Sequence, residues 1–219
     1  MPLGSEINFL AKYPRTPRNP EARAREKTEE DVRIARQFGR EFFDGDRRYG
    51  YGGYTWSPTR WRGVVEDMLA YYGDIYSVLD VGCAKGYMLR EFRRQRPDLV
   101  VYGCDVSDYA MASAPIDVDR FLMHCPADDL EFWSDKEIDL VISINTIHNL
   151  DRTGCIKALQ EIQRVGKRAY ITVDAYSNEE ERKRMMDWNL TALTILHVDE
   201  WRKLFEEAGY TGDYGFWMP

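Results

Sequence analysis

Strand, helix, strand, repeated along the chain, predicts an α/β fold: a Rossmann-like, mostly parallel sheet with helices on both faces, in a single domain with an N-terminal helical and lid extension. Three observations carry the prediction. Five apolar runs, each about as long as a buried strand, lie at 77–81, 100–104, 121–125, 140–144 and 169–173. Segments with helical features follow the first run and precede the last, at 87–96 and 155–165. The run 77–81 passes through a small-residue turn, Gly82-Cys83-Ala84-Lys85-Gly86, straight into the segment that opens at Tyr87.

Taken in order, residues 1–27 read as a partly ordered arm. Pro14, Pro17 and Pro20 fall three apart, among Arg15, Arg18, Arg23 and Arg25, and prolines so spaced prevent an early helix. Thr28 is placed to cap a helix, with Asp31 closing a capping box and Val32, Ala35 and Phe38 on one side. Residues 44–56 hold four glycines interleaved with tyrosines, which a helix does not tolerate, so a flexible aromatic loop is expected. Trp61, Val64, Val65, Met68, Leu69 and Tyr72 follow helical spacing, and Gly73 ends that helix. In the helix 155–165, Ile156, Leu159 and Ile162 are spaced for one face, with Gly166 at its end. The run Glu179–Arg184 reads as a solvated helix face. A last helix spans 199–208, with Trp201, Leu204 and Phe205 inward. Gly209 stops it, and one strand follows over 210–217. This divides the chain into a 1–56 arm, helix and lid loop and a 57–219 cofactor-binding unit.

The 219 residues are 44% hydrophobic and 31% charged, ordinary for a globular protein, with a net charge of −7. That acidity argues against a nucleic-acid partner. No apolar run approaches the length of a membrane span, and the first residues lack the apolar core of a signal peptide. Cys83, Cys104, Cys125 and Cys155 stand apart without a CxxC pair, so a reduced, cytoplasmic protein is expected, as monomer or homodimer.

The chemistry concentrates at Asp80–Tyr87. Gly82 and Gly86 let the backbone turn tightly and a ligand approach without meeting a Cβ. Asp105, at the end of the next strand, is placed to accept two hydrogen bonds from a ribose diol. A dinucleotide fingerprint needs glycines at G-x-G-x-x-G, and here the spacing is Gly82-x-Ala84-x-Gly86. Asp80 would also repel a pyrophosphate, whereas it suits a cationic amino-acid head. S-adenosylmethionine (SAM) has such an ammonium and no phosphate, so these residues favour it over NAD.

Asp80-Val81-Gly82-Cys83-Ala84-Lys85-Gly86 resembles the glycine-rich motif of class I SAM-dependent methyltransferases, and the resemblance runs from about Trp61 to Trp217. It implies SAM as methyl donor and S-adenosylhomocysteine as its product. Gly82 and its neighbours Cys83, Ala84, Gly86 and Tyr87 would then meet the methionine moiety, and Asp105 the ribose. Val106 would flank the adenine, Ala127 and Asp128 would meet its ring, and Asn145 would stand beside the transferring methyl. Two departures mark this chain. Ala84 replaces the usual middle glycine, and only one strand follows Gly209 where the family closes its sheet with an antiparallel pair.

The acceptor side is less specific. Asn145-Thr146-Ile147-His148 lacks the proline pair with which DNA amino-methylases of this fold stack a flipped base, and the Cys beside Pro of cytosine methylation is missing. Asp151 is the one acid near this loop, so no metal is expected. A small-molecule acceptor, methylated on O or N, remains. His148 either takes the acceptor's proton or only orders the substrate. The Tyr49-Gly50-Tyr51-Gly52-Gly53-Tyr54 loop, with Trp61 nearby in the chain, reads as a lid over the acceptor, the alternative being fixed aromatic packing. Together with Phe43-Asp44-Gly45-Asp46-Arg47, it resembles bacterial methyltransferases of sugar and natural-product pathways. The competing functions are a SAM-using enzyme that is not a methylase and a non-catalytic partner subunit.

Overall fold

The computed structural model describes residues 2–15 and 18–218, which leaves the expectation for Pro17 outside the described residues. Its centre is a seven-stranded sheet. The strands are β1 (Ser77–Val81), β2 (Val100–Asp105), β3 (Leu122–His124), β4 (Ile138–Ile144), β5 (Gly166–Tyr176), β6 (Leu196–His197) and β7 (Asp213–Trp217). They run β3-β2-β1-β4-β5, and β5 then pairs with β7 along its middle and with β6 at its end. Every pairing is parallel. All five predicted runs are strands, and β5 extends past its run at both ends.

Side-chain alternation divides the core. Val78 faces one layer with Leu140, Ile142 and Tyr170, beneath α4 (Arg62–Tyr72) and α5 (Tyr87–Gln95). Leu79 and Val81 face the other, against α7 (Arg152–Val165), which comes after the short α6 (Asp108–Ala112) that follows β2, and against α9 (Val198–Glu207), where Trp201, Leu204 and Phe205 are fully buried. Thr28 accepts from the Asp31 N–H, and the Asp31 carboxylate accepts from the Thr28 N–H, so the predicted capping box starts α2 (Glu29–Ala35). That helix ends earlier than its apolar spacing suggests, because Phe38 adopts a left-handed φ of 48°.

Two expectations are corrected. The N-terminal arm is packed: the Ile7 N–H donates to the Tyr214 carbonyl at 2.7 Å, and the Tyr214 N–H donates to the Ser5 carbonyl at 3.0 Å. Phe9 is buried edge-on to Tyr170, with ring centroids 4.8 Å apart. The arm therefore covers the exposed edge of β7, and it does so where the related fold places an antiparallel pair. After Asn19, α1 (Pro20–Glu26) packs on α8 (Glu179–Trp188), so α8 is a docking helix as well as a solvated one. Phe9, Phe43 and Tyr54, in the 1–56 extension, share one cluster with Val64, Val78 and Leu89.

The second correction concerns the tyrosine–glycine loop, which follows α3 (Arg40–Asp44). At Gly50 the glycine serves close packing rather than looseness. A Cβ on Gly50 would lie 2.1 Å from the Phe42 carbonyl oxygen. The Tyr51 and Gly53 amides donate to the carbonyls of Phe42 and Phe43, and the Tyr54 amide donates to Asp44 Oδ1 at 2.9 Å. Buried Lys85, in the glycine turn, donates to Asp44 Oδ2 at 2.5 Å and to the Tyr54 carbonyl at 2.9 Å. Burial works against the Asp44 carboxylate, but Lys85, Tyr109 and the Tyr54 N–H outweigh it and hold its pKa below the usual range.

Removing the ammonium should therefore leave a half-buried carboxylate without its counter-charge. Lys85→Met is expected to cost about 2–3 kcal/mol in denaturant unfolding, less than the roughly 3–5 kcal/mol of a fully buried pair because Asp44 keeps some solvent. Hydrogen exchange should show the amides of Tyr51, Gly53 and Tyr54 protected in the wild type and released in the variant. Fast exchange at those amides in the wild type would restore the free lid.

Candidate active site

In a parallel sheet the strands all point their carboxyl ends the same way, and a cleft opens where the strand order reverses, here between β1 and β4. A cavity of about 660 Å³ occupies that place, within the range of single small-molecule sites. Gly82 and Ala84 after β1, Asp105 and Val106 at β2, Ala127 after β3, and Asn145 after β4 all reach its wall.

The turn is specified by contacts. Gly82 has φ of 82°, and a Cβ there would lie 2.1 Å from Thr146 Oγ1, so both conformation and space require glycine. Ala84 sits at φ 50°, in the left-handed region that glycine adopts freely and alanine resists, so the missing middle glycine has a strain cost of about 1 kcal/mol. Its N–H donates to Asp105 Oδ2 at 2.7 Å, while the Ser107 N–H donates to Oδ1 at 2.8 Å. Burial raises the Asp105 pKa against those backbone donors. Each carboxylate oxygen keeps a second lone pair toward the cleft.

Asp80 lies two residues before Gly82, is only 4% exposed, and burial together with the Asp105 charge pushes its carboxyl up to about 8. A buried acid without a charge partner is the feature that a cationic ligand head would satisfy.

Not every expected residue lies on the cleft. Cys83 is buried in the core beside α5, and Gly86 caps that helix at φ 70°. Tyr87 turns its ring onto Tyr54, at 5.1 Å between centroids, and donates its hydroxyl to the Tyr54 carbonyl. Asp128 lines a separate shallow pocket with Lys157 and Arg164, so Cys125, Pro126 and Ala127 form the wall after β3. Of the loop, Tyr51 reaches the cleft while Tyr49 does not, and Tyr54 and Trp61 are buried as packing. Asn145 is tied to β5, with φ 52°, its Oδ1 accepting from Thr172 Oγ1.

His148 is buried on the cleft wall. Its Nδ1 accepts the Asp174 backbone N–H at 3.0 Å, which places the ring proton on Nε2, 3.6 Å from Asp174 Oδ2. Burial lowers its pKa, and the Asp174 charge does not offset this, so the ring is neutral at pH 7. Asn189 Nδ2 donates to the same Asp174 oxygen at 2.6 Å. The sequence reading missed Asp174, although the acid directly after the apolar run 169–173 was its signal. It also assigned the arginines of the arm to a tail, whereas Arg15, Arg18 and Arg23 line this cleft.

The sequence profile of a methyltransferase-domain family matches residues 5–214. No functionally curated protein matches in sequence. Among solved structures, a SAM-dependent methyltransferase from Archaeoglobus fulgidus superposes with a TM-score of 0.55 at 19% identity, over 70% of this chain and 69% of that one. The YcgJ protein of Bacillus subtilis gives 0.53 at 16% identity, over 66% of each chain. A chain from Haloferax volcanii, solved with the Trm112 methyltransferase activator, gives 0.53 at 24% identity, over 66% of this chain and 65% of that one. The similarity thus spans about two thirds of the length of these structures. With the family profile covering nearly the whole chain and the parallel sheet opening on the glycine turn, the protein belongs to the methyltransferase-domain family, as an enzyme with the class I SAM-dependent fold.

Proposed function

We propose that the protein transfers a methyl group from SAM to an oxygen or nitrogen of a small molecule held in the cleft. The observation that carries this reading is Asp105 on the cleft wall, with the buried Asp80 carboxyl, which lacks a charge partner, behind the turn two residues before Gly82 and not on the wall itself: the first suits a ribose diol and the second an ammonium that reaches it. Gly82 and Ala84 would lie along the methionine moiety, Asp105 would bind the ribose, and Val106 and Ala127 would bracket the adenine. When bound, SAM supplies an electrophilic methyl on a sulfonium centre. Pre-alignment of the acceptor supplies much of the rate, because methyl transfer replaces an encounter by a fixed approach.

Asp174, rather than His148, is the proposed proton acceptor. In the neutral ring Nδ1 is already occupied by a backbone N–H and Nε2 carries the proton, so His148 has no free lone pair. The Asn189 amide instead orients the Asp174 carboxylate, beside the neutral His148 ring; that carboxylate would take the proton of the acceptor O–H or N–H as the oxygen or nitrogen bonds to the methyl carbon and the S–C electron pair stays with S-adenosylhomocysteine. Buried Asn149 Oδ1, which has no hydrogen-bond partner among the described residues, stands on the same wall and would receive a donor of the acceptor.

Asp105→Ala should weaken S-adenosylhomocysteine binding by roughly tenfold to a hundredfold in calorimetry, the loss of two charged hydrogen bonds. Unchanged affinity would remove SAM from this cleft. The Asp80 carboxyl adds a pH dependence. It is protonated at neutral pH in the free protein, and an ammonium beside it favours the charged form, so binding releases a proton. Affinity should rise with pH by up to about tenfold per unit and level off above about 8, and Asp80→Asn should flatten the rise. A flat wild-type profile between about pH 6 and 8 would place the ammonium elsewhere.

For turnover, Asp174→Asn should lower kcat by about a hundredfold, with cofactor affinity changed less than about threefold, and His148→Ala should cost less. A larger loss in the His148 variant would return the base role to the imidazole.

A further inference from the structure

The chain carries a net charge of −7, yet six arginines line one cleft: Arg15, Arg18, Arg23, Arg47, Arg60 and Arg184. Two acids, Asp105 and Asp174, share that wall. None of the six arginines forms a salt bridge among the described residues, whereas most other arginines of the chain do, as at Arg33–Glu30, Arg94–Glu91 and Arg164–Glu161. The cluster thus departs from the rest of the chain, where most guanidiniums have a carboxylate beside them.

The arginines are also pre-set by aromatic faces. Arg18, Arg23 and Arg47 lie over the Trp188 ring at 4.8, 4.6 and 5.2 Å from its centre. Arg15 and Arg18 lie over Trp217 at 4.6 and 5.4 Å. Stacking fixes the planes; Arg47 spends one terminal nitrogen on the Gly50 carbonyl, and its remaining N–H groups and the whole edge of Arg18 are left to a ligand. Arg23 spends its two terminal nitrogens on the carbonyls of Arg47 and Arg48, at 3.3 Å each, while its buried Nε has no partner. Arg18 donates no hydrogen bond to any described residue. Arg18 and Arg47 keep accessible surface because they face the cleft, yet the surrounding protein desolvates them. Desolvation lowers the pKa of Arg18, Arg23 and Arg47, and repulsion from Arg47 and Arg18 helps to bring Arg23 to about 10.

Such crowding is unfavourable in the empty protein, and SAM does not relieve it. Its single carboxylate is exceeded by its own sulfonium and ammonium, and the proton that Asp80 releases at most cancels this excess, so its binding brings no net negative charge to the arginines. Asp105 is committed to the ribose under the reading above, and Asp174 to His148 and Asn189. The missing negative charge must arrive with the acceptor.

We propose that the acceptor is a phosphorylated small molecule, whose phosphate or pyrophosphate group is gripped by Arg18, Arg23 and Arg47 against Trp188 while its methylated end reaches Asp174. This rests on the methyltransferase reading of the same cleft. Several planar guanidiniums around one point suit the tetrahedral, multiply charged phosphoryl group better than a lone carboxylate, which two forks already saturate. A concave cleft of about 660 Å³, in place of an open basic stripe, fits a small molecule rather than a nucleic-acid strand.

Calorimetry with inorganic pyrophosphate, on protein saturated with S-adenosylhomocysteine, tests the proposal. Pyrophosphate should bind, should bind at least tenfold more tightly than malonate, and should weaken as salt rises. Arg18→Gln and Arg47→Gln, both solvent-facing substitutions, should each weaken pyrophosphate at least tenfold and leave S-adenosylhomocysteine affinity within about threefold. Arg18→Lys should recover part of the loss. Tight S-adenosylhomocysteine binding without pyrophosphate binding overturns this proposal alone. Malonate equal to pyrophosphate overturns the phosphoryl assignment, and a single-stranded oligonucleotide binding more tightly than pyrophosphate overturns the small-molecule one. Pyrophosphate binding in protein that does not bind S-adenosylhomocysteine would instead overturn the cofactor reading.

Discussion

The Lys85 ammonium is the point at which two parts of the molecule become one. It belongs to the glycine turn, yet its partners, Asp44 Oδ2 and the Tyr54 carbonyl, belong to the N-terminal extension. A buried lysine is tolerated only with a charge and hydrogen bonds around it, so the turn can form fully only when the extension is docked. Tyr109 donates to the same Asp44 oxygen, which brings the helix after β2 into the same network. The cofactor side and the acceptor side of the cleft thereby share one anchor, and the aromatic stack of Tyr51, Tyr54 and Tyr87 is built around it.

Electrostatics divides the cleft into two halves. Beneath the turn lie acids, Asp80 and Asp105, each with its pKa raised by burial. Across it lie the arginines of the extension and of α8, of which Arg18, Arg23 and Arg47 are lowered by desolvation. Both halves hold ionisable groups away from water without a charge partner, which folding alone would not favour. The arrangement gains its free energy when complementary ligands arrive, and sites of strained charge are where ligands are expected.

Much of the sheet was legible because its signals are local. Short β-branched runs, a Gly82–Gly86 turn and an Asp105 at the next strand end follow from residue type and spacing. What the sequence hid was long-range. Ser5–Ile7 carry no strand signature of their own, and they pair only because β7 leaves an edge open. The glycines of 50–53 suggest freedom, but at Gly50 the reason is a carbonyl 2.1 Å from a would-be Cβ, contributed by Phe42 eight residues earlier. Asp128 and Ala127 are neighbours in sequence, and the path of the chain after β3 sends them to different pockets. His148 was found by its place after β4, whereas its ring state depends on Asp174, twenty-six residues away on another strand. The arginines of the arm looked like tail because charge alone carries no address.

The arm's bridge to Tyr214 has a further consequence. Arg15 and Arg18 follow a segment whose backbone is registered against β7, and Trp217, on which they rest, ends that same strand. The arm that carries them is thus anchored by two main-chain hydrogen bonds, at Ser5 and Ile7, which are indifferent to the side chains they align. An edge segment of this kind behaves as a detachable selector: a different arm, docked on the same strand, would present other side chains to the cleft without altering the glycine turn. Divergence in what is methylated can then proceed in the first few dozen residues, while the sheet that holds the donor stays unchanged.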